Sequence, residues 1–209
     1  MPHIFVVNSK GGSGKTTITT QLASYYAKRG DSVILADHDP QKSSCDWITA
    51  RPERCAKIQL IPAKLNELIA TPTANTIVIH DMPAGWIPTI DSPIFEKNAC
   101  NQMIIPMLPS PTDIKAGLRF IMALTRSGVL ENTAKAALIA NRTRSNIRYN
   151  NILMDFLHRV DLPLIGTVRD SQNYIRAIAS GISIFDLPAG KVKADVEQWQ
   201  PIINWLENR

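Results

Sequence analysis

The stretch Asn8–Thr17, NSKGGSGKTT, holds the residue types whose spacing most plainly implies chemistry. Gly11, Gly12 and Gly14, with Ser13 among them, let successive backbone N–H groups converge on an anion. Lys15 carries a charge suited to the β- and γ-phosphates of a nucleotide, the Thr16 hydroxyl is a ligand for Mg2+, and Thr17 follows it into the next element. A second lysine, Lys10, stands at the front of the turn, where a phosphate cradle needs no further charge. Carboxylates follow in two places: Asp37 and Asp39 in ADHDPQKS (Ala36–Ser43), and Asp81 in IVIHDMPAG (Ile77–Gly85). Asp81 ends an apolar run, the position from which an aspartate holds Mg2+ through water in phosphoryl-transfer sites.

These residues need elements to position them, and the apolar pattern supplies them. HIFVVN (His3–Asn8) predicts a buried strand, and Thr16–Arg29 a helix with Ile18, Leu22, Ala23 and Tyr26 on one face and Gly30 as its stop. Strands follow at Ser32–Asp37, Lys57–Pro62, Thr76–Asp81, Gln102–Met107, Ala136–Asn141 and Pro163–Val168. Helices are predicted near Gln41–Ala50, Ile114–Arg126, Asn146–Val160, Ser171–Ser180 and Ala194–Leu206. Continuous apolar strands alternating with helices imply an α/β fold, a mostly parallel twisted sheet with helices on both faces. A strand, a glycine turn and a helix in that order make the GKT string a P-loop, with the helix N-terminus adding its partial positive charge.

Composition sets the limits. A chain of 209 residues, 44% hydrophobic and 20% charged, reads as one globular domain spanning 1–209. No apolar run approaches the ~20 residues of a membrane span, and MPHIFVVN resembles a strand rather than a signal peptide. Three cysteines without CxxC spacing imply neither a disulfide framework nor a metal site, so a cytoplasmic location is expected. The net charge of +5 leans toward a polyanionic partner.

The cradle departs from GxxxxGK[ST] at Ser9, and KGGSGKT is the deviant Walker A pattern. With it the chain resembles the ParA/MinD family of ATPases nearly end to end. ADHDPQKS is similar to that family's second motif, IVIHDMPAG to its Walker B strand and following switch, and AALIANR (Ala136–Arg142) and TVRD (Thr167–Asp170) to its adenine-side segments. The resemblance implies ATP and Mg2+ as cofactors. It implies that Lys10 reaches the phosphates bound by a second copy, so that nucleotide state sets a homodimer. It implies that Asp39 orients the attacking water and Asp37 supports the Mg2+ shell, two roles that i and i+2 carboxylates could exchange. It places Asn141, Val168 and Asp170 at the adenine.

Three function classes follow from the resemblance: a positioning ATPase on nonspecific DNA, a MinD-like membrane-associated regulator, and a metabolic relative such as the nitrogenase iron protein or dethiobiotin synthetase. The tail ADVEQWQPIINWLENR could present Val196, Trp199, Ile202, Ile203 and Leu206 as an apolar face. Its charges are mostly acidic, which suits docking on the core rather than anionic lipid. Cys100 has no glycine-flanked partner for an iron-sulfur cluster and reads as a small buried hydrophobe. The positioning class is favoured. Basic residues are interspersed through the second half, and Arg169 and Arg176 fall in a segment resembling the one that holds DNA-contacting residues in ParA relatives. No helix-turn-helix precedes His3, so double-stranded DNA is expected to be bound without sequence preference, on the nucleoid. DHDPQKSSCDW and the opening segment look closest to ParA-type relatives that distribute carboxysomes, with plasmid or chromosome partition as the alternative. Either cargo requires an adaptor that stimulates hydrolysis.

Overall fold

A computed structural model describes residues 2–71, 73, 75–95, 100–144 and 148–208. Among these residues, seven strands form one sheet: β1 (Pro2–Val6), β2 (Val33–Asp37), β3 (Gln59–Pro62), β4 (Ile77–Asp81), β5 (Cys100–Met107), β6 (Ala134–Thr143) and β7 (Leu164–Arg169). Their order is β3-β2-β4-β1-β5-β6-β7, and each neighbouring pair is parallel. The chain builds outward from β1 to one side, then returns to build the other. The loops after β1, β2 and β4 therefore meet at the carboxyl ends of central strands, where open α/β sheets bind ligands.

Among the described residues, eight α-helices cover the sheet: α1 (Lys15–Arg29), α2 (Ser43–Thr49), α3 (Pro111–Arg126), α4 (Val129–Asn132), α5 (Arg148–Leu157), α6 (Gln172–Ala179), α7 (Ala189–Glu197) and α8 (Gln200–Glu207). Alternate residues of β1 face opposite cores. Ile4 and Val6 pack with Ile18 and Leu22 of α1 and with Trp199, Ile202 and Leu206, whereas Phe5, and Val7 just past the strand, pack with Phe120 and Leu124 of α3 and with Leu153 and Leu157 of α5. Gly30 ends α1 at φ 102°, donating its N–H to the carbonyls of Ala27 and Tyr26, a conformation that a side chain would strain.

The tail departs from expectation. One helix over Ala194–Leu206 is predicted, but α7 ends at Glu197 and α8 starts at Gln200. Pro201 has no N–H to give to a continuing helix, and it sits in the first turn of α8, where none is needed. The apolar face of the tail does dock on the core: Trp199, Ile202, Ile203 and Leu206 are all at most 3% exposed. The helix predicted from Asn146 is described from Arg148, residues 145–147 lying outside the described residues. Among the described residues, no helix is long and apolar enough to cross a membrane.

Candidate nucleotide site

The loop between β1 and α1 wraps the start of a cavity of about 780 Å³, lined by Gly11, Gly12, Gly14, Lys15, Thr16 and Thr17 together with Asp39, Asn141, Val168 and Asp170. Gly12 and Gly14 take φ 76° and 92°, left-handed values that turn the backbone into the cradle. A Cβ at Gly14 would lie 2.2 Å from Asn141 Nδ2, so the position also needs glycine for space. Asn8, which the sequence reading did not single out, fixes the loop from behind. Its Nδ2 donates to the Pro106 carbonyl at 2.6 Å and its Oδ1 accepts the Lys10 N–H at 3.1 Å.

Lys15 is buried, and its Nζ donates to the Lys10 carbonyl at 3.4 Å. Burial lowers its pKa from the usual lysine value, while Asp81 and Asp39 pull it back up. A cation held in a half-dry cradle gains most from phosphate, because little water remains to screen the pair.

Asp81 ends β4 fully buried. Thr16 Oγ1 and Ser44 Oγ both donate to its Oδ2, at 2.8 and 2.7 Å. Its Oδ1 is buried without a hydrogen-bond partner among the described residues. Burial raises its pKa to about 6, with the two hydroxyls and Lys15 opposing and Asp37 assisting. An unsatisfied carboxylate oxygen beside a threonine hydroxyl is a hard-oxygen donor set, and it fits Mg2+. Ser44, at the start of α2, was not foreseen; with Ser43 beside it, the sequence gave no signal of which hydroxyl would reach Asp81.

The two acids at the end of β2 separate clearly. Asp37 stands opposite Asp81 in the β2–β4 register. Its Oδ1 accepts the Asp39 N–H and its Oδ2 the Cys45 N–H, both at 3.0 Å, so this carboxylate holds the turn and the start of α2. Asp39 is half-buried, lines the cavity and accepts the Gln41 N–H at 2.9 Å. Of the pair, Asp39 is the one that meets the cavity.

At the far end, Asn141 uses its amide on the protein. Nδ2 donates to the Ser13 carbonyl at 2.9 Å and Oδ1 accepts the Arg142 N–H at 3.0 Å, which locks the end of β6 to the cradle. Val168 is buried in the cavity wall. Asp170 is paired with Arg144 and Arg142, whose charges, led by the Arg144 hydrogen bond, hold its carboxyl below the usual range. Arg169 also lines the cavity, and its Nε bonds Asp195 Oδ1 at 2.6 Å. Asp195 is buried and also accepts from Asn173 Nδ2 at 2.6 Å. Arg176 is exposed in the last turn of α6. The side chain of Cys100 lies outside the described residues.

The side chain of Lys10 points away from the cradle. Its Nζ lies 2.7 Å from Asp113 Oδ1 and 3.3 Å from Thr112 Oγ1 at the start of α3, with 41% of the side chain exposed. The cradle is complete without it.

The nucleotide-binding domain model described as CobQ/CobB/MinD/ParA matches residues 4–184. The chain belongs to that family. ParA and MinD proteins are P-loop ATPases, and the seven-stranded parallel sheet has their fold. The maintenance of carboxysome distribution protein A of Halothiobacillus neapolitanus is 31% identical, over 91% of this chain and 90% of that protein. Among solved structures, apo McdA from Cyanothece superposes with a TM-score of 0.72 at 17% identity, covering 97% of this chain and 99% of that one. A putative plasmid partition protein from Borrelia burgdorferi B31 bound to AMPPNP gives 0.69 at 20% identity, covering 98% and 99%.

Proposed function

We propose that this ParA/MinD-family chain acts as a single unit, 1–209, that binds ATP and Mg2+, pairs with a second copy, and holds nonspecific double-stranded DNA while paired. Lys10 is the observation that carries this reading. It is a charged residue at the mouth of a finished phosphate cradle, held by an exposed contact to Asp113 that a second nucleotide could outcompete. A cation given in trans joins two copies only when a triphosphate lies between them, so nucleotide state becomes oligomeric state.

Within one copy, Lys15 and the glycine N–H groups bind the phosphates, and Thr16 with Asp81 would hold Mg2+. Mg2+, when bound, neutralises charge that builds on the phosphate oxygens. Asp39, set by Asp37, orients water toward the cavity, and the buried walls at Val168 and Tyr174 keep the base end dry. An adaptor linked to the cargo stimulates hydrolysis, separates the pair and releases DNA, since one copy of a modest basic surface holds DNA weakly. The near full-length likeness to a carboxysome-distribution protein supports a carboxysome or similar microcompartment as cargo.

Sedimentation of the parent and Lys10→Ala with ATP, beside a DNA shift assay at fixed salt, tests the reading. Lys10→Ala should keep nucleotide binding and lose both the dimer and DNA. A variant that still dimerises with ATP and holds DNA would overturn it.

A further inference from the structure

Three buried histidines form a continuous line of hydrogen bonds across β1, β4 and the end of β2. His3 Nδ1 is 3.0 Å from His80 Nε2, His80 Nδ1 is 3.0 Å from His38 Nε2, and His38 Nδ1 is 2.7 Å from the Lys64 backbone oxygen. A carbonyl only accepts, so His38 carries its proton on Nδ1 and, as a neutral ring, offers Nε2 as acceptor. His80 must then donate from Nδ1 and accept at Nε2, and His3 must donate from Nδ1. One backbone oxygen thus fixes the tautomer of all three rings and makes every bond run the same way. Burial holds the His38 and His80 rings below the usual histidine range, in keeping with neutral imidazoles.

The line passes through the hydrolytic machinery without touching the cavity. His38 lies between Asp37 and Asp39, and His80 directly precedes Asp81. The Phe5 ring stacks on His80 with centroids 4.2 Å apart and planes 12° off parallel. The loop that supplies the Lys64 oxygen is also tied to the segment after β4, because Trp86 Nε1 donates to Asn66 Oδ1 at 2.9 Å. The end of β4 and the segment after β2 are therefore joined by the imidazoles as well as through this loop. Apolar side chains at 3, 38 and 80 would fill the same space and fix no direction. Histidines here gain only when every bond is made, because each broken bond leaves a buried polar nitrogen.

We propose that His3, His80 and His38 are positioning residues that set Asp39 against the Thr16–Asp81 pair, with the Ala63–Ile69 loop closing the circuit. This rests on the ATPase reading above. None of the three meets nucleotide; they act through the backbone that carries the two aspartates.

The test separates binding from turnover. His80→Phe keeps an aromatic ring under Phe5 and removes both bonds. ATP affinity should stay within about threefold of the parent, while the maximal hydrolysis rate should fall by about tenfold or more, as small misplacements of reacting groups do. His38→Asn, whose Nδ2 can replace Nδ1 and keep the Lys64 bond, should retain more of the rate than His38→Leu. Long-range 15N–1H spectra of histidine-labelled protein near neutral pH give a readout free of turnover. They should show three Nδ1–H tautomers, with exposed His158 as the internal reference. A folded His80→Phe with the parental rate would overturn the proposal, as would Nε2–H tautomers at His38 or His80. If His80→Phe does not fold, the two His38 variants and the tautomer spectrum decide. A parent chain that binds no ATP would sink the functional reading, and the spectrum would still decide whether the directed line exists.

Discussion

Replacing Asp81 by asparagine tests the site through its effect on stability as well as on chemistry. Burial lifts the Asp81 pKa from 3.8 to about 6, which corresponds to roughly 3 kcal/mol favouring the protonated acid in the folded state. The folded pKa lies above the unfolded one. For an acid, that means the folded state binds the extra proton between the two values, so stability falls as pH rises from about 4 through 6 and stays low above. Between pH 5 and 8, about 1.4 kcal/mol of this loss remains, worth roughly 3–6 °C in a domain of this size. Asp81→Asn removes the titration. Its oxygen can still accept from Thr16 and Ser44, and its Nδ2 takes the place of the buried Oδ1 that has no partner, at a cost of about 1–3 kcal/mol. The Tm at a single pH is therefore a poor readout, and the difference in slope is a good one. His38 and His80, with lowered pKa values, add stability as pH rises toward the usual histidine range, but they do so equally in both proteins. Melts without nucleotide or metal from pH 5 to 8 should show the parent losing about 3–6 °C relative to the variant. Parallel melting curves would refute the assignment of Asp81 as a buried acid held ready for a cation.

Asp39→Ala should bind ATP as the parent does and hydrolyse it far more slowly; full turnover would shift the water-orienting role to Asp37, whose two oxygens are already taken by backbone N–H groups. Arg176→Glu should weaken DNA binding evenly across sequences at fixed salt, because phosphate contacts carry no sequence information. Arg169→Glu should instead cost about 2–3 kcal/mol of stability by stripping buried Asp195 of its cation, so a Tm measured beside each shift assay separates folding loss from lost DNA contact. Gly181→Ala should fold poorly, since Gly181 has φ 65° and a Cβ there would lie 2.3 Å from the Ala50 backbone carbon; an unchanged Tm would contradict this packing.

Local chemistry was legible in the sequence because it is local. The glycines, Lys15 and Thr16 lie within one turn, and the strand before and helix after them follow from short-range periodicity. Asp81 was legible for the same reason, as the end of an apolar run. Partners separated by long stretches of chain were not. Asp113 meets Lys10, and Ser44 meets Asp81, only because the sheet order brings their elements together. The histidines were hidden in another way: they lie far apart in sequence, with no shared motif, and only the pairing of β1, β4 and β2 brings them into line. Asn141 was recognised by type, but its amide bonds the cradle, a preference that a side chain with both donor and acceptor does not reveal in sequence. The tail is two helices rather than one because Pro201 marks a beginning, which apolar spacing alone does not show.

The place of β1 in the sheet has a consequence for how the molecule is made. Of the described strands this one is first in sequence, yet it lies in the middle, flanked by β4 at Val78–Asp81 and by β5 at Cys100–Ile104. Both partners are distant in sequence, so one side of β1 waits for Asp81 and the other for Ile104, and contacts of such separation form slowly. Until then the glycine turn has no frame, because Asn8 is anchored on Pro106. Nucleotide affinity should therefore arise abruptly, and only once Pro106 has been made, making ATP capture by a nascent chain a direct report that the centre of the sheet has closed.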